Sequence, residues 1–339
     1  MVNLTTSNPW DDISEEYSFV LRFWYVFIEP WFLFGGVLGN LLILCVMPMN
    51  LVTIRASLKM YYIIIAISDL YNIINSWILW TFIYDTLSIL TNGHIYFDLS
   101  VKSEFACKEI FTGWAAAEIL SNYTLVSLLI EKILVVTYPL KAKTFLNERT
   151  RCLIFALCVF PPFFSVVPFN PFVVMIMKPK FMKKHDYCYY DDGHPLYQYV
   201  FWTTHVFMFG VHEMLSLALS TALICKLLHQ SHKRKKLMQC HLTEAKEWGT
   251  IVTIVTLAMI NFFCFIPVTI LTSFFFMVDL NMYSKEVNDV LNSVWRLTYQ
   301  AVVITHAINF PVYLNRIASF RRVFTQFFTG CLNAHLKCT

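Results

Sequence analysis

The stretch KMYYIIIAISDLYNIINSWILWTFIYD, residues 59–85, carries one internal charge, Asp69, in a run dominated by Ile, Tyr and Trp. A helix needs ~20 predominantly apolar residues to cross a bilayer, so this segment reads as a membrane span with one acid inside it. Residues 31–54, 152–177 and 248–278 carry no Asp, Glu, Lys or Arg at all. Extended along the chain, the pattern predicts spans at roughly 24–48, 60–84, 106–136, 152–177, 197–228, 248–278 and 295–315. The whole chain is 57% hydrophobic and 14% charged, with a mean hydropathy of +0.56. Soluble domains run near 25% charged, which excludes a soluble enzyme, a disordered tail and a nucleic-acid binder. The short alternating segments of a β-barrel are missing from the sequence. No metal cluster, nucleophile triad or phosphate loop is legible, so no enzyme is expected. The expected fold is an all-α membrane protein, a seven-transmembrane helix bundle.

Charge sets the orientation. With the N-terminus outside, most of the 26 Lys and Arg fall on the inner side, including Lys233-Arg234-Lys235-Lys236, while the acids gather outside. That is the positive-inside pattern. The basic run itself reads as a topogenic, lipid-contacting patch. Residues 1–17 are polar and acidic, so the first span is expected to insert as a signal-anchor rather than follow a cleaved leader. Asn3-Leu4-Thr5 is a glycosylation acceptor on the outer side. Of the ten cysteines, Cys107 and Cys188 alone fall on the oxidising side, and two such cysteines are a natural disulfide pair.

Short motifs sharpen the picture. Gly39-Asn40 lies in span one and Ala66-Ile67-Ser68-Asp69-Leu70 in span two. Glu131-Lys132-Ile133 closes span three and is followed by Tyr138-Pro139-Leu140. Cys264-Phe265-Ile266-Pro267 lies in span six. Asn309-Phe310-Pro311-Val312-Tyr313 and Phe320-Arg321-Arg322 close the series. Together these resemble the GN, LAxxDL, acid-Arg-Tyr, CWxP and NPxxY motifs of rhodopsin-like (class A) G-protein-coupled receptors. The resemblance covers about 24–328. Lys132 stands at the family's arginine, spans four and five lack the usual Trp and Pro, and Phe310 stands at the NPxxY proline. The last feature is similar to invertebrate myosuppressin and FMRFamide-type neuropeptide receptors.

The resemblance implies roles. Asp69, Ser121, Thr305 and Asn309 match the family's hydrated sodium pocket, where oxygen ligands suit a hard cation. The alternative is a polar knot that satisfies itself across helices. Trp80, Trp114, Glu118, Phe265, Thr269, Trp295 and Tyr299 are the implied ligand-binding residues. Glu118 reads either as a partner for an arginine or amine of a peptide, or as a protonated acid hydrogen-bonded to a neighbour such as His205 or His212. Glu131, Lys132, Glu247 and Tyr313 are the implied coupling and switch residues, with a Lys132–Glu247 contact as a resting lock.

Four segments are expected. These are an extracellular tail (1–23), the receptor domain (24–315), an amphipathic helix on the membrane surface (316–330) and a cytoplasmic tail (331–339), with Cys331 a palmitoylation candidate. The implied function is a multi-pass plasma-membrane receptor for an extracellular ligand, a short amidated neuropeptide, that activates a heterotrimeric G protein. Arrestin and membrane lipids are further implied partners, and no cofactor beyond an allosteric sodium ion is implied. The rivals are a chemosensory receptor of the same fold for a small molecule and, remotely, a transporter, which would show repeats between halves.

Overall fold

The computed structural model describes residues 15–52, 54, 56–91, 99–177, 187–191, 193–235, 242–277 and 285–338. Among them, six helices are long and apolar enough to cross a membrane: Phe19–Val46, Leu58–Leu79, Glu104–Thr137, Glu148–Val173, Tyr197–His229 and Gly249–Phe274. They are numbered here as spans one to six. Large apolar side chains cover the outside of the bundle: Trp31 is 80% exposed, and Phe34, Phe164 and Phe263 are exposed as well. Water does not tolerate such a surface but lipid does, and the helices satisfy their own backbone groups as hydrocarbon demands. The chain is a helical, multi-pass membrane protein.

Local chemistry sets the helix starts. The Ser103 hydroxyl accepts from the Ala106 N–H at 3.1 Å and opens span three. The Asn147 side chain accepts from the Thr150 N–H at 2.9 Å and opens span four. Both are N-caps, and Glu104 and Glu148 follow in the first turns, where the helix dipole favours acids. Span three is the axis of the bundle. Every residue from Ser121 to Leu129 is buried, and spans two, four and five all pack on it. It therefore has almost no amphipathic stripe, as expected of a helix surrounded by others.

The fold differs from expectation in three places. The fourth span stops at Val173, not 177, because Pro168 and Pro171 punctuate the chain there. The next residues, Val174–Met177, form a strand paired antiparallel with Tyr187–Tyr190, Ile176 opposite Cys188. A two-stranded hairpin thus interrupts the all-α pattern. Spans one, two and five contain wider π-type turns at Trp24–Ile28, Ile73–Thr86 and Val206–Val211, which re-aim the side chains beyond them.

The third difference concerns 295–315. This stretch is helical but comes in three pieces, Lys285–Ala301, Val303–Ala307 and Asn309–Arg316, none long and apolar enough to count with the six. Pro311 has no N–H for the Ala307 carbonyl and its ring crowds it, which accounts for the break at Ile308. The Thr305 hydroxyl donates to the Val302 carbonyl at 2.7 Å, a back-bond that competes with the helix ladder at the other break. The pieces pack on spans one and six, and a last helix, Ala318–Cys338, follows.

Candidate functional site

A histidine holds the centre of the bundle. His306, on the middle piece, points its Nδ1 at Asp69 Oδ1 (2.9 Å) and its Nε2 at Glu118 Oε1 (3.0 Å). Asp69 comes from span two and Glu118 from span three, and all three side chains are at least 98% buried. The carboxylates have further donors. The Ser121 hydroxyl donates to Asp69 Oδ1 at 2.7 Å, and Asn309 Nδ2 donates to Asp69 Oδ2. Asn72 Nδ2 donates to Glu118 Oε1 at 2.9 Å and Asn122 Nδ2 to Glu118 Oε2 at 3.1 Å. Asn40 Nδ2 closes the network from span one, donating to the His306 carbonyl at 2.9 Å. A neutral imidazole has one N–H, whereas two carboxylate oxygens face two ring nitrogens. The contacts are satisfied by an imidazolium between two carboxylates or by a neutral imidazole beside one protonated acid.

Three of the four residues matched to a sodium pocket meet here: Asp69, Ser121 and Asn309. Thr305 is buried beside them, but its hydroxyl is turned to its own backbone. The polar-knot alternative describes the contacts, with more members than it was given. His306, Asn72 and Asn122 were not singled out from the sequence, and Asn40 was noted only within the Gly39-Asn40 motif. Helical spacing carries a signal for three of them. Asn72 lies three residues after Asp69, Asn122 four after Glu118, and His306 three before Asn309, so each shares a face with an expected residue.

Glu118 needs correcting. The structure does not leave it open to a basic ligand, and its partner is neither His205 nor His212. Both oxygens are engaged by His306, Asn72 and Asn122, because the acid faces span two and the 285–316 stretch rather than span five. His205 turns its Nδ1 to the Phe201 carbonyl at 2.7 Å, and the His212 ring packs edge-on to Phe265 at 5.2 Å. Above the network, Tyr299 gathers three tryptophans. Its ring stacks on Trp295 at 5.5 Å and meets Trp77 at 5.2 Å and Trp114 at 6.3 Å. Phe111 continues the cluster to Tyr190 in the hairpin. The bond between Cys107 and Cys188, with Cα atoms 5.5 Å apart, pins that hairpin to the head of span three. Thr269 donates to Glu213 Oε1 of span five at 3.1 Å. Of the implied ligand residues, Trp114, Trp295 and Tyr299 are thus brought together, and Phe265 is fully buried in the same apolar cluster.

At the other end of the bundle, the Tyr313 ring packs on Tyr62 at 4.6 Å and both are fully buried. Glu131 is also fully buried and faces Arg151 Nε of span four at 3.5 Å, an ion pair too long for a good hydrogen bond. Lys132 is 6% exposed and lies within the bundle. Asn3 and the side chains of Trp80, Glu247 and Cys331 lie outside the described residues, and the Lys132–Glu247 contact with them. No protein-family model matches the chain, and no curated protein matches it.

Proposed function

We propose that this chain is a rhodopsin-like G-protein-coupled receptor, with 295–315 as its seventh span and its N-terminus outside the plasma membrane. It binds an extracellular ligand, a short amidated neuropeptide, in the chamber roofed by the hairpin, and activates a heterotrimeric G protein. One observation carries the reading. Asp69 of the LAxxDL-like motif and Asn309 of the NPxxY-like motif, 240 residues apart, bond to one another inside the bundle. Motifs matched separately in the sequence are thereby parts of one assembly. Signalling in such a receptor is a population shift, limited by the ligand's differential affinity for the active packing. A library of amidated neuropeptides applied to transfected cells, read by calcium and cAMP, tests the reading. A saturable response that depends on this chain is the expected result, and silence in both readouts across the library counts against a peptide ligand.

A second reading, a receptor of the same fold for a small apolar molecule, draws on Glu118. With that acid consumed by His306, the cluster around Tyr299 is chiefly aromatic. Small odorants added to the same cells separate the two readings.

A further inference from the structure

We propose that His306 is a built-in cation that takes the place of a sodium ion, so that this protein's stability and conformational balance are blind to sodium. The proposal rests on the contacts of the network and stands whether or not the receptor reading does.

A sodium site needs a carboxylate oxygen with a lone pair free to point at the ion, other neutral oxygens around it, and room. Neither oxygen of Asp69 is without a donor. Its Oδ1 accepts from Ser121 and from His306 Nδ1, and its Oδ2 accepts from Asn309. Flipping the Asn309 amide does not help, since its carbonyl oxygen would then abut the carboxylate, acceptor against acceptor. Glu118 is engaged in the same way by His306, Asn72 and Asn122. The oxygens that would neutralise a sodium ion are all turned towards N–H and O–H hydrogens. The residues present do not fit the ion.

Room and charge agree. A void beside the network, large enough for about one water molecule, has Ser121, Asn122, Asn261, Thr305, His306 and Asn309 as its polar lining. No carboxylate reaches it among the described residues. A water molecule suits such a lining, whereas a bare cation would meet the imidazolium edge with no formal negative charge facing it. Asn261 donates to the Asn122 oxygen at 3.2 Å and closes the far wall. Two acids and one imidazolium leave a net charge of −1, but the imidazolium lines the void and neither acid does, so a second cation placed there would face the first.

Sodium ion alone is the probe, and the purified full chain in detergent is the sample. Thermal unfolding is followed while sodium chloride replaces choline chloride at constant ionic strength. The unfolding midpoint of the unaltered protein is expected not to move. His306→Ala removes the internal cation and one of the two donors to Asp69 Oδ1, so sodium is expected to raise that variant's midpoint by about 2 °C once it exceeds its dissociation constant tenfold. Adding Asp69→Asn to His306→Ala is expected to abolish the rise. Should His306→Ala fail to fold, His306→Gln provides the neutral replacement, and His306→Lys keeps the charge and is expected to stay blind to sodium. Two results overturn the proposal. One is a sodium-dependent rise in the unaltered protein that Asp69→Asn removes. The other is a folded neutral variant at position 306 as indifferent to sodium as its parent.

Discussion

Gly39 of span one and Phe310 of the third piece of the 285–316 stretch touch so closely that a Cβ on the glycine would stand 2.7 Å from the phenylalanine Cβ. In a membrane, where lipid is as apolar as the helices, such close backbone approach supplies much of the packing energy. Phe310 cannot swing clear, because the clash falls at the root of its side chain. Gly39→Ala should therefore push the helices apart and cost about 1–3 kcal/mol. Gly35, four residues earlier, has nothing within 4 Å of its notional Cβ. Gly35→Ala should be neutral or stabilising by up to about 1 kcal/mol, since alanine loses less entropy in a helix. Unfolding midpoints of the pair check this, and equal effects would refute the close contact.

Glu118→Gln should destabilise the folded protein rather than merely weaken a ligand. The substitution keeps the shape but leaves the buried imidazolium with one acid instead of two, a loss of about 1.5–3 kcal/mol for a charged hydrogen bond. A lowered unfolding midpoint without any ligand is the expected outcome. A normal midpoint combined with lost potency for a cationic agonist would return Glu118 to the ligand.

Cutting the link between Cys107 and Cys188 should loosen the hairpin that roofs the aromatic cluster. The bonded cysteines are 81 residues apart, and in the chain-entropy account a loop of that length contributes ~4 kcal/mol. Cys107→Ala and Cys188→Ala should each lower surface expression and stability to the same degree, and the double variant no further. Additive losses would mean that the two thiols act separately.

The pair formed by Glu131 and Arg151 changes the expected balance at the opposite end. Glu131 is the acid next to Lys132 in sequence, yet it faces Arg151 of span four at 3.5 Å. A double-mutant cycle with Glu131→Gln and Arg151→Met should return a coupling of about 0.5–3 kcal/mol. The resting lock implied for Lys132 and Glu247 is tested on its own. Lys132→Arg should lower agonist-free signalling and Glu247→Ala should raise it, at matched surface expression. Unchanged basal signalling in both would dismiss the lock.

Hydropathy alone located the six spans to within a few residues, because charge-free runs such as 152–177 and 248–278 have few other solutions. Cys107 and Cys188 could be paired by the side of the membrane their loops were assigned to. What escaped was partnership. His306 is one of ten histidines, and its spacing from Asn309 places it on that residue's face without saying which acids it meets. Glu118 was read by depth, which says how far in a residue lies but not which way it points. The wide turns at Ile73–Thr86 illustrate the difficulty, since each π-type turn rotates everything beyond it away from the ordinary helical wheel. Trp77 rather than Trp80 is the residue described against Tyr299.

An unbroken helix behaves as a rod: a push or twist at one end arrives at the other. The 285–316 stretch is instead a jointed arm, with joints at Val302 and Ile308. Its short middle link is anchored by the His306 ring, as an axle is seated in its bearing. The upper link, carrying Trp295 and Tyr299, and the lower link, carrying Asn309 and Tyr313, can therefore pivot about that axle by different angles. Backbone torsions at two residues absorb the difference, as hinges do. Removing the axle is expected to let each link turn without the other.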